Sequence, residues 1–150
     1  MSNQRICEKI NTDELIICSE NGRIITIKNS FRWEICIVQI DNCLINDNSK
    51  RCDIMVRLPS QKRIEKGIQS IKLVEFKGSD VSKAFEQLET TINHPAIASD
   101  KPFINECLIA SKLSPSFSGT MQSQKIIFLE KYNIPVQIGR KNLIIDIENP

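Results

Sequence analysis

Three residues in this chain combine in a way that suits phosphate chemistry: Asp53, Glu75 and Lys77. Asp53 is the only acid in the apolar stretch RCDIMVRL, and Glu75 and Lys77 stand one residue apart in IKLVEFK. An isolated carboxylate in apolar company is costly unless it is paired or holds a metal. Side chains alternate along a strand. Ile71, Leu73, Glu75 and Lys77 would therefore share one face, and Lys72, Val74 and Phe76 the other. On adjacent strands Asp53 and Glu75 would converge, and a hard cation between them would relieve their repulsion. Mg²⁺ (or Mn²⁺) prefers oxygen ligands. The two carboxylates, the backbone carbonyl of Phe76, waters and a substrate phosphate would fill its octahedron. Lys77 beside that ion would orient or deprotonate an attacking water, or stabilise charge in the transition state. Such a set hydrolyses phosphodiesters.

The elements that must position these residues follow from pattern. LIICSENGRIITI (15–27) sets two apolar runs around Asn21-Gly22, a hairpin signal; the competing reading is a short helix over TDELIICSE capped by Thr12. WEICIVQIDNCLI (33–45) alternates and predicts a long strand, NDNSK (46–50) a turn, and RCDIMVRL (51–58) the antiparallel return that Pro59 ends. Residues 60–70 predict a polar, basic loop, and 71–77 a strand buried on both faces. Gly78 breaks that strand, and Ser79 or Asp80 caps a helix reaching about Asn93. Val81, Ala84, Phe85, Leu88 and Ile92 form its apolar stripe. FINECLIAS (103–111) predicts a strand joined through that helix as a βαβ unit. TMQSQKIIFLEKY (120–132) predicts a second helix, with PVQI and NLIIDI as closing strands around GRKN. The order predicts a single α/β domain: a mixed central β-sheet flanked by helices.

Composition narrows the function classes. With 41% hydrophobic and 25% charged residues, the chain matches a folded, water-soluble domain rather than a disordered one. No apolar run approaches the roughly 20 residues that span a bilayer. MSNQRICEKI is polar where a signal peptide would be apolar. The expectation is a cytoplasmic protein with no membrane partner. Cysteines at 7, 18, 36, 43, 52 and 107 show no CxxC spacing, which predicts buried, reduced thiols rather than a zinc site or a disulfide framework. Net charge is only +2, yet residues 50–83 hold nine Lys/Arg against four acids. That local bias suits a phosphate-bearing partner. His94, the one histidine, precedes Pro95 and has no evident nucleophile to serve, which sets aside Ser-His-Asp and Cys-His catalysis.

Asp53 followed 22 positions later by Glu75-Phe76-Lys77 resembles the core motif of the PD-(D/E)xK nuclease superfamily. The phrase RCDIMV … VEFKGSDVSKAFEQLETTI is similar to small bacterial proteins that carry it, and the resemblance covers about residues 33–132. It implies a restriction-endonuclease-like fold and Mg²⁺-dependent cleavage of DNA, with Asp53 and Glu75 as metal ligands and Lys77 as the catalytic lysine. It also implies a Gln or Lys on the following helix, for which Gln87 and Lys83 are the candidates, Gln87 the better placed. A further acid before the Asp is common in that family; Glu8, Glu14, Glu20 and Glu34 are the candidates here.

Lys83, Lys112 (beside Ser111) and Lys125 (with Gln122) are candidate DNA-phosphate contacts. Gly78 would allow close approach of a DNA backbone. Trp33 reads as core or edge packing. With no separate recognition domain, a homodimer is expected, since two scissile strands suit a two-fold partner. The alternative reading is a catalytically inactive nuclease-like fold that binds nucleic acid or protein.

Overall fold

Ile71, Leu73, Val74 and Phe76 are all buried, and the strand that carries them is one of the central pair of a six-stranded sheet. The structure is a computed structural model that describes residues 7–20, 22–58, 70–77, 80–111, 119–139 and 142–147. The strands are β1 (Glu8–Asn11), β2 (Leu15–Glu20), β3 (Arg23–Lys28), β4 (Ile35–Gln39), β5 (Ile54–Leu58), β6 (Ser70–Lys77), β7 (Ile104–Ser111), β8 (Val136–Gly139) and β9 (Asn142–Asp146). Helix α1 (Val81–Ile92) joins β6 to β7, and α2 (Gly119–Tyr132) joins β7 to β8. The large sheet has the order β1-β4-β5-β6-β7-β8. Its β1/β4, β4/β5 and β5/β6 pairs are antiparallel, and β6/β7 and β7/β8 are parallel. A small sheet, β2-β3-β9, combines the expected hairpin with β9 parallel to β3. The protein is thus a mixed α/β fold.

Alternation along the central strands explains the layers. Met55, Ile71, Leu73, Cys107 and Ile109 pack under α1 and α2 through Phe85, Leu88, Ile92 and Phe128. Ile54, Val56, Val74, Phe76 and Leu108 pack against Ile16, Ile25, Ile27, Leu143 and Ile145 of the small sheet. Asp80 caps α1, accepting from the Lys83 amide at 3.1 Å. Ser79, the other candidate cap, lies outside the described residues, as do Gly78, Pro59, Lys112 and the loop 60–69.

Several expectations need correction. The strand expected over 33–45 stops at Gln39. Ile40–Ile45 is a turn, with Ile45 N–H donating to Ile40 O at 3.0 Å and Asn42 at φ +58°. Ile40 and Ile45 are buried like strand residues, so the apolar pattern runs through the turn and hides it. The return strand begins at Ile54, not at residue 51. Cys52 packs on the helix side and Ile54 on the small-sheet side, although residues two apart on a regular strand share a face. The chain therefore switches faces at Asp53. NLIIDI closes the small sheet rather than the large one, and the edge strand β1 had no expectation. Cysteine pairing also differs: Cys7 and Cys43 form a disulfide, while Cys18, Cys36, Cys52 and Cys107 are free. Their spacing of 36 residues carries no motif; the contact is made by the fold. No helix among the described residues is long and apolar enough to cross a membrane.

Helix α1 grips the segment before Asp53. Thr91 Oγ1 accepts from the Cys52 amide at 2.8 Å while donating to Gln87 O at 2.7 Å, and all of Thr91 is buried. Thr91→Val keeps the volume but strands the Cys52 amide, which should lower unfolding stability by about 1–3 kcal/mol. Urea denaturation checks this, and a loss of only a few tenths would show that the clamp contributes little.

Candidate functional site

Asp53 sits where β5 begins beside β6. Its backbone N–H donates to Val74 O at 3.2 Å, and its Oδ2 accepts from the Phe76 amide at 2.7 Å. The two bonds bracket Glu75. The register that pairs Ile54 with Val74 would set Cys52 opposite Phe76, but the ladder stops short of Cys52, so the Asp53 carboxylate takes the place of a carbonyl. Asp53 O in turn accepts from the amides of Ile40 and Asp41 at 3.0 and 3.2 Å. A residue's N–H and C=O leave a strand on the same side, so the Phe76 carbonyl also faces the β5 side.

Glu75 is 2% exposed and Asp53 8%. Glu75 has the same parity as Ile71 and Leu73, so it belongs to the helix-facing side, where its charge, with that of Asp53, helps hold the Cys52 thiol well above its usual range; burial is the larger cause. Lys77 closes β6 opposite Ser111 of β7. Its side chain lies outside the described residues.

The hairpin brings a further acid. Glu20, the last residue of β2, hydrogen-bonds the Asp53 carboxylate, and its pKa is pushed up to about 7. Burial is the leading cause, followed by the Asp53 charge and hydrogen bond and then by Asp41; Arg23, its cross-strand partner, opposes them. A bond between two carboxyl groups needs one proton, which the pair shares. Asp41 is neutralised by Arg51, whose Nε lies 2.8 Å from its Oδ1. Arg51 also donates to Asn42 Oδ1 and to the carbonyls of Asp47 and Ser49.

A cleft of about 310 Å³ opens beside this pair, lined by Cys18, Ser19, Glu20, Ile37, Gln39, Ile54 and Phe76. Its floor is apolar, and Glu20, Ser19 and Gln39 supply polar walls. Among the described residues no three His, Cys, Asp or Glu side chains stand together as a ready metal cluster. Glu20 meets Asp53 from the small-sheet side, while Glu75 belongs to the opposite, helix-facing side.

The other expected residues divide. Of the four acid candidates, Glu20 reaches the site. Glu34 is exposed just before β4, whose far end, Gln39, pairs with Ile54. Five strand steps place Glu34 about 16 Å from that end. Glu8 is held by Arg57 at 2.6 Å and Glu14 by Arg32 at 3.8 Å, both elsewhere. Gln87 Nε2 donates to Arg51 O at 3.3 Å, so its amide supports the Asp53 segment. Lys83 is exposed in the first turn of α1. Lys125 is half-buried on α2, next to Gln124, which bonds Ser82 at the start of α1. Both lysines therefore lie toward the end of the fold where β6 finishes. His94 is a loop residue, accepting from the Ala96 amide and meeting Asp47 at 2.8 Å. Trp33 packs against the small-sheet core.

Glu20 could have been singled out by the hairpin signal, which puts it next to the turn. What the sequence lacked was where that turn docks. Comparison with family models, curated proteins and solved structures finds no match.

The raised Glu20 pKa has a definite sign. Its folded value, about 7, exceeds its ordinary 4.5. Folding therefore takes up a proton between these values. The proton-shared pair favours the fold below pH 4.5, and that contribution is lost as pH rises through 7. Glu20→Gln, which keeps a donor toward Asp53 without the charge, should melt higher than the wild type at pH 8, with the gap closing by pH 5. Thermal melts across that range test it, and a gap independent of pH would contradict the shared proton.

Proposed function

We propose that the protein is a metal-dependent nuclease of restriction-endonuclease-like fold that hydrolyses DNA phosphodiester bonds. The observation that supports this best is the hydrogen-bonded Glu20–Asp53 pair, set against β6 where Glu75 and Lys77 stand. The frame around it is an antiparallel meander β4–β5–β6 followed by α1 and the parallel strand β7. In that frame Asp53, immediately before β5, lies beside the β6 strand that carries the Glu-x-Lys.

The donor set suits a hard divalent cation. Two adjacent carboxyl groups that share a proton, one with its pKa pushed up to about 7, would exchange that proton for Mg²⁺ or Mn²⁺. Asp53 would hold the ion together with Glu75, the expected pair, with the Phe76 carbonyl directed toward β5 beside them and Glu20 reaching Asp53 from the small-sheet side. Such an ion, when bound, neutralises phosphate oxygens and acidifies water. The chain's own residues supply the rest. The Phe76 amide fixes the Asp53 carboxylate in the sheet plane. Lys77 would orient the attacking water and stabilise charge on the phosphate as the leaving oxygen departs. Lys83 and Lys125, with Lys112, would meet backbone phosphates. A homodimer belongs to the same proposal, because each protomer would address one strand.

One observation favours a second reading, a nuclease-like fold that only binds nucleic acid or protein. Asp53 Oδ2 is committed to the Phe76 amide, which leaves that oxygen less free to bind a metal. The two readings part in one experiment. Supercoiled and branched DNA is incubated with the protein in Mg²⁺, Mn²⁺ or EDTA. The nuclease reading expects metal-dependent cutting that falls about 10²–10⁴-fold in Lys77→Ala, and at least as far in Asp53→Asn. DNA binding without cutting, unchanged by Asp53→Asn, would leave the binding reading in its place.

A further inference from the structure

The turn Ile40–Ile45 does more than connect β4 to β5. Its first two amides, Ile40 and Asp41, are the donors that fix Asp53 O. Its Asp41 and Asn42 side chains are gripped by Arg51, two residues before Asp53. The turn also closes on itself, with Cys43 N–H donating to Ile40 O at 3.2 Å. On its outer side its covalent tie is the Cys7–Cys43 disulfide, which joins it to the start of the edge strand β1. Cys7 is buried and Cys43 only partly so, which makes the cysteine on the turn the more open of the two to an incoming thiol.

We propose that the Cys7–Cys43 disulfide is a redox-responsive tether that sets the order of the turn holding Asp53, and so regulates the site. The proposal rests on the reading of Asp53 as a site residue. A small dithiol or a redox-active protein thiol is the reductant. Its thiolate attacks Cys43 Sγ, the S–S bond breaks, and Cys7 leaves as a thiolate that takes up a proton. The second reductant thiol then displaces Cys43, leaving two protein thiols and the oxidised reductant. The other cysteines do not compete on equal terms. Cys52 and Cys107 are fully buried, and burial pushes both thiols up, away from the reactive thiolate. Once reduced, the turn keeps its hydrogen bonds but loses its anchor to β1. Its amides then open more often, and with them the hold on Asp53 O.

The test uses the full chain purified without reductant. Thiol labelling after denaturation should find four reactive cysteines, and six after dithiothreitol; six before reduction would overturn the proposal. Amide exchange followed by NMR should show Ile40 and Asp41 exchanging at least about tenfold faster in the reduced protein. The Cys7→Ser/Cys43→Ser variant should exchange at the faster rate with or without dithiothreitol. Unchanged exchange of these two amides on reduction would overturn the tether, as would a dithiothreitol response that persists in the double variant. Cleavage is scored separately: absence of metal-dependent cutting in both redox forms removes the nuclease reading, while the exchange result still decides the tether.

Discussion

The hydrogen bond from the Phe76 amide to the Asp53 carboxylate carries two obligations at once. It continues the pairing of β5 with β6 past the point where the backbone turns from one face of the sheet to the other. It also satisfies a carboxylate that is only 8% exposed, for which an unpartnered position would be costly. Around that bond the neighbouring chain is arranged to hold residue 53 from several sides: the turn amides on its carbonyl, and Thr91 and Gln87 of α1 on the two residues before it. The acid of the hairpin completes the surroundings from the small-sheet side. A carboxylate so constrained has little freedom to wander, which is a requirement of any site that must place charge to within a fraction of an ångström.

Much of this frame was legible in the residues. The buried run of β6, the amphipathic stripe of α1 and the Asn-Gly hairpin follow from periodicity and turn chemistry, and these are local properties. The parts that escaped are those set by distant partners. The turn at 40–45 carries Ile40 and Ile45 in the core, so burial continues where the strand does not. The face switch at Asp53 leaves no mark on the alternation of RCDIMVRL, because both neighbours are apolar. Glu20 could be named only as one acid of four until the hairpin was seen docked over Ile54 and Phe76. The cysteine pair joins two segments that no spacing rule connects.

Electrostatics around the site are balanced locally rather than by overall charge. Asp41 is held by Arg51, Glu20 faces Arg23, and farther along β5 Arg57 is shared by Glu8 and Asp100 at 2.6 and 3.1 Å. The Arg57 group lies among strand ends away from the cleft and serves packing.

The pairing of β3 with β9 sets an order of assembly. Ile24 pairs with Asn142, and Lys28 with Asp146, so the small sheet joins segments from opposite parts of the chain. A two-stranded hairpin alone is at best marginally stable in water. Until β9 has been synthesised and docked, the hairpin lacks its third strand, and Glu20 has no fixed place over Asp53. The acid pair therefore waits on a pairing between segments far apart in the chain. Contacts between such distant segments also slow folding, since loop closure must precede their reward. Glu20 is thus held in place through a strand that lies far beyond it in the sequence.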